Sequence, residues 1–132
     1  MRILFLLVVL SVTSALQSQV VIKENAIQSK YAFPLVTSKA KAAVVYDTDD
    51  YLVVHKTAEL FVSDVESVTG KQLRLTDTVK GDKEIIVVGT IEKNRLIRQL
   101  AEKGKLDISP LEGAWERYLI QTVSRPFPGV SK

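Results

Sequence analysis

The chain has 132 residues, 46% hydrophobic and 25% charged, the balance of one ordinary globular domain. Its formal net charge of +3, from 18 basic and 15 acidic residues, is too small and too evenly spread for a nucleic-acid footprint. No cysteine is present, which excludes a disulfide framework, a thiol nucleophile, thiolate metal ligands and a lipoprotein anchor.

Arg2 gives a positive start, residues 3–12 (ILFLLVVLSV) are apolar apart from Ser11, and Thr13, Ser14 and Ala15 are small. This is the pattern of a secretory signal peptide, too short and wrongly flanked for a spanning helix. Residues 1–15 are therefore expected to be cleaved, leaving a secreted or periplasmic chain with no membrane attachment. Residues 16–41 read as an extended lead-in: Val20, Val21 and Ile22 form a short apolar knot, and Pro34 ends any strand near it.

Residues 42–132 carry the patterning of a small α/β domain. Residues 42–46 (AAVVY) predict a strand, and Asp47, Thr48, Asp49 and Asp50 turn the chain and cap a helix over 51–69. Val54, Ala58, Phe61, Val65 and Val68 fall on one face of that helix, and Gly70 stops it. Residues 72–76 (QLRLT) alternate as a half-buried strand, and a polar turn of hairpin length then leads into residues 84–88.

Ile85, Ile86, Val87 and Val88 form a run without polar alternation, as in a strand covered on both faces in the middle of a sheet. Gly89 frees the backbone for a tight exit, and Thr90 or Asn94 can cap a helix over 92–103, with Leu96, Ile97 and Leu100 inward. Residues 116–123 (ERYLIQTV) predict a last strand before a Pro-Gly turn. The order β-α-β-β-α-β fits a ferredoxin-like sandwich or a mixed β-sheet that needs further elements. The end of the chain after a strand and a turn favours the mixed sheet, with the domain incomplete at its C-terminus.

No catalytic, cofactor-binding or metal-ligating set emerges from the motifs. Gly89-Thr90 between strand and helix lacks the further glycines of a nucleotide fingerprint. Counted from Asp47, the glycine and glutamate positions of a calcium loop are Leu52 and Ala58. His55 is the one histidine and begins HKTAE rather than HExxH, so neither zinc chemistry nor a GxSxG hydrolase is indicated. Trp115 and Tyr118 are the candidate contacts to a sugar or a neighbouring domain, since aromatic rings with a polar tip suit both.

Three segments, AAVVYDTDDYLVVHKTAELFVSDVESVTGKQL, EIIVVGTIEKNRLIRQL and EGAWERYLIQTV, together resemble the N-terminal region of glycoside hydrolase family 115. The likeness covers about residues 30–132. It implies a small α/β domain of the hexosaminidase domain-2-like kind, preceding a catalytic (β/α)8 barrel in secreted xylan α-1,2-glucuronidases. The acid/base carboxylates of that family belong to the barrel, so no catalytic residue transfers to this chain. The implied reading is a non-catalytic accessory domain whose partner is the barrel of the same enzyme, without a cofactor. The alternative is a stand-alone secreted module that binds acidic polysaccharide such as glucuronoxylan through Trp115, the tyrosines and the basic residues.

Overall fold

The structure, a computed structural model, describes residues 32–113 and 115–132; the expected signal peptide and most of the lead-in lie outside them. Within those residues the chain is α/β, with two helices and one three-stranded sheet. The strands are β1 (Ala43–Val45), β2 (Arg74–Thr76) and β3 (Ile85–Val87), and the helices are α1 (Leu52–Thr69) and α2 (Arg95–Glu102). A short 3-10 turn, Ser109–Leu111, follows α2.

β1 is the middle strand, pairing in parallel with β2 on one side (Val44 opposite Leu75) and with β3 on the other (Val44 opposite Ile86). Its three residues are fully buried, which is why the sequence shows no polar alternation there. One face of the sheet packs Val44 against Ala58, Val62 and Val65 of α1 and against Leu73. The other packs Ala43, Val45 and Ile85 against Leu100 of α2 and against Phe127 and Val130 of the C-terminal segment.

Several expectations are corrected by this arrangement. The described sheet is wholly parallel rather than mixed, and its middle strand is 43–45, not 84–88. β3 borders the sheet, with Ile85 buried and Ile86 and Val87 half-buried. No hairpin joins β2 to β3: residues 77–84 carry the chain past β1, and Val79 packs against the Ala43–Val45 face. α1 crosses one way on one face, and the 77–84 loop crosses back on the opposite face, as two connections of the same hand must. Arg74 anchors that loop to β2 through Asp82 and the Lys80 carbonyl.

α1 buries Ala58, Val62 and Val65, with Phe61 packed beside them, while Val68 is 86% exposed. The predicted stripe was therefore right at its centre but drifted off at the last turn. Gly70 ends the helix with φ +66° and donates its N–H to Glu66 O. The expected capping by the aspartates is absent; Tyr51 occupies the N-cap without a side-chain bond, because Asp47 and Asp50 are engaged elsewhere. α2 is shorter than expected because Asn94 caps it, turning residues 91–93 into a lead-in.

Residues 116–123 form no strand among the described residues. Trp115, Tyr118 and Ile120 are 89%, 84% and 88% exposed, and Glu116 has φ +55°. A turn closes Phe127 to Val130 (Val130 N–H to Phe127 O, 3.1 Å), with Pro128 second and Gly129 third at φ +80°. Ser131 and Lys132 then run beside β3: the Ser131 N–H donates to Lys83 O at 2.6 Å, and the Ile85 N–H donates to Lys132 O at 2.9 Å. These bonds tie Ser131 and Lys132 to the outer side of β3.

Candidate functional site: the carboxyl edge of the sheet

In open parallel sheets, ligands bind outside the carboxyl ends of the strands, where connections leave in opposite directions. Here that place lies between the loop after β1 (residues 46–51) and the loop after β3 (residues 88–94). It gathers Asp47, Asp50, Tyr51, Thr90, Glu92, Lys93, Asn94 and Arg95.

The two loops are stitched together by their own side chains. Asp47 Oδ2 accepts from the backbone N–H of Arg95 at 2.8 Å and from Arg95 Nε at 2.9 Å, while Oδ1 accepts from the Asp49 N–H at 3.1 Å. Asp50 does the same for Thr90: Oδ2 takes the backbone N–H and Oδ1 takes the hydroxyl, each at 2.8 Å. Asp50 Oδ1 also accepts the Tyr51 N–H at 2.8 Å. Burial works against the charge of Asp47 and is the largest single influence on it. The Arg95 and Asp49 backbone N–H groups and the Arg95 guanidinium outweigh it, holding the carboxyl below its usual range.

Asn94 is fully buried and completes the filling. Its Oδ1 accepts from the N–H groups of Leu96 (3.0 Å) and Ile97 (3.1 Å), and its Nδ2 donates to Val88 O at 3.1 Å. A Cβ on Gly89 would lie 2.2 Å from Asn94 Nδ2 and 2.6 Å from Asn94 Cβ. Glycine is required at 89 by this close approach, not by a turn of unusual φ. The first amides of α2 are thereby occupied by Asp47 and Asn94, so the helix N-terminus has internal acceptors in place of a bound phosphate.

At the outer rim, the Tyr51 hydroxyl donates to Glu92 Oε2 at 3.0 Å, and Lys93 Nζ lies 3.9 Å from the centre of the Tyr51 ring. That bond to Glu92 raises the Tyr51 pKa above its ordinary value. His55 stacks on Tyr46 with ring centres 4.2 Å apart and planes 12° from parallel, and its Nε2 lies 3.4 Å from Glu59. Tyr51, Leu52 and Val53 stand exposed in succession at the start of α1.

The arrangement holds two loops in register: Asp47 and Asp50 are bonded to the opposite loop, while Asp49 between them is exposed. Among the described residues, no group of three or more His, Cys, Asp or Glu side chains is placed to hold a metal ion. No described helix is long and apolar enough to cross a membrane. Of the candidate contacts, Trp115 and Tyr118 both lie in the exposed segment after the 3-10 turn and have no part in the crevice. Arg95 is not among the residues singled out from sequence, and its aspartate partner lies 48 residues earlier. Only the knowledge that β1 and β3 are neighbours would have joined the two.

No protein-family model matches the chain, and no curated protein is similar to it.

Proposed function

We propose that the chain is a non-catalytic accessory domain of a secreted glycoside hydrolase of the α-glucuronidase type, supporting a catalytic barrel carried elsewhere in the same protein. The observation that supports this reading is the state of the crevice: Asp47 and Asp50, two of the carboxylates at the sheet's carboxyl edge, are committed to the backbone of the opposite loop. A general acid or base needs a carboxyl available to substrate, and these two are taken up by donors of the opposite loop. Apolar side chains exposed in two places, Tyr51 to Val53 and Trp115 to Ile120, suit packing against a neighbouring domain. The resemblance of three segments to family 115 supplies the substrate class, acidic xylan. The test is an assay of the isolated chain on glucuronoxylan: no glucuronic acid is released, and release above blank would overturn the proposal.

A second reading, a stand-alone module that binds polysaccharide, draws on the near-complete exposure of Trp115 and Tyr118. It expects titration with glucuronoxylan to saturate and Trp115→Ala to weaken the binding. No binding at millimolar sugar removes it.

A further inference from the structure

Arg125 has φ +48°, in the left-handed region that side chains other than glycine rarely adopt. Its backbone is held there from both sides. The Arg125 N–H donates to Ser131 O at 2.9 Å, and its carbonyl accepts from Lys105 Nζ at 2.6 Å. Lys105 Nζ also reaches Pro126 O at 3.3 Å, tying the loop to the segment just after α2.

The guanidinium so positioned has no acidic partner among the described residues, and neither has Lys103. Both line an open groove of about 790 Å³, together with Lys105, Ser124, Phe127 and Ser131. Every charged side chain lining that groove is basic. Lys103 has another explanation, since a cation at the C-cap of α2 favours the helix dipole. Arg125 has none: it lies off any helix, and glycine would take the same backbone conformation without steric strain.

We propose that this groove is an oxyanion-binding site, in which the Arg125 guanidinium makes the paired contact and Lys103 supplies a second positive charge. A guanidinium whose backbone is already fixed loses less freedom on binding, and its planar fork matches two oxygens of one ligand. The Ser124 and Ser131 hydroxyls stand in the same lining as further donors. Carboxylate, sulfate and phosphate share this chemistry.

The test is an NMR titration of the full chain with acetate, sulfate and phosphate, each at fixed ionic strength made up with chloride. At least one anion should give saturable shifts confined to residues around 103–105 and 124–131; the order of affinities identifies the ligand type. Arg125→Gly keeps the left-handed backbone and should fold as well as the parent, yet bind at least about tenfold more weakly. Arg125→Lys retains charge but loses the fork and should also weaken binding. No saturable shift with any of the three anions overturns the proposal. So does an Arg125→Gly variant that folds normally and binds as the parent does.

Discussion

A single carboxylate oxygen, Asp47 Oδ2, takes both the backbone N–H and the Nε of Arg95, joining the end of β1 to the first turn of α2. The Asp47 side chain is 1% exposed while that of Arg95 is 62% exposed. The contact is therefore anchored on a buried acid and reaches outward. Such a bond costs most when the buried member is removed, because a backbone donor is then left without an acceptor.

Asp47→Ala is expected to lower unfolding stability by about 2–3 kcal/mol, the penalty for stranding buried N–H donors. Asp47→Asn, which keeps an acceptor oxygen, should cost less. Urea denaturation of both variants measures the difference; equal losses would place the interaction in charge alone.

The same group sets an acid limb. Asp47 has a folded pKa below its ordinary value, so an unfolded chain binds its proton first as the pH falls. Its contribution is complete above the unfolded value of about 3.9 and fades as the pH drops toward the lower folded one. Stability measured from pH 6 downward should therefore fall more steeply below about pH 4 in the parent than in Asp47→Asn.

Gly89→Ala places a methyl group 2.2 Å from Asn94 Nδ2, and something must shift. A loss of about 1–3 kcal/mol is expected, as for overpacking elsewhere. Asn94→Gly removes both the Nδ2 and the Cβ that clash but also the side-chain cap, which glycine replaces at a cost of roughly a few tenths of a kcal/mol. The double variant should be more stable than the sum of the single losses predicts, a departure read directly from a double-mutant cycle.

Alternate amides of β3 face opposite ways. The Val88 N–H donates to Val45 O at 3.0 Å, and the Ile85 N–H is taken by Lys132 O. Val87 points to the same side as Ile85, where no acceptor meets it among the described residues. Hydrogen exchange at Val87 should therefore be faster than at Val88. Equal protection would mean that the outer border of β3 is covered.

Trp115 is the one tryptophan and is almost wholly exposed. Its emission should barely move when urea unfolds the domain, and Trp115→Ala should change stability by less than about 0.5 kcal/mol. A blue shift on adding polysaccharide, or a barrel expressed separately, would report contact at this segment.

Sequence patterning carried the local elements further than their assembly. The β1 strand, the α1 helix with its Gly70 stop, and Asn94 as one of two possible caps were legible, because each depends on residues within a turn or two. Pairing was not. Val79 in a polar loop gave little sign that residues 77–84 would cross the sheet rather than fold back as a hairpin. Residues 116–123 have the β-branched and aromatic content of a strand, but that content needs a partner, and in the described residues none is supplied. The crevice was hidden for the same reason: Asp47 and Asp50 look like helix caps until Thr90 and Arg95 are known to lie beside them. The conformational demand at Arg125 could not be read either, since arginine is the wrong residue for it.

Phe127 and Val130 close the layer over Ala43 and Val45. During synthesis, that side of the first strand stays incompletely covered until the polypeptide has left the ribosome past residue 130. The opposite side can be shielded much earlier, once α1 and Leu73 have emerged. A nascent chain stalled between these two points would present one dry face and one greasy one. That interval is when a holding chaperone has something to grip.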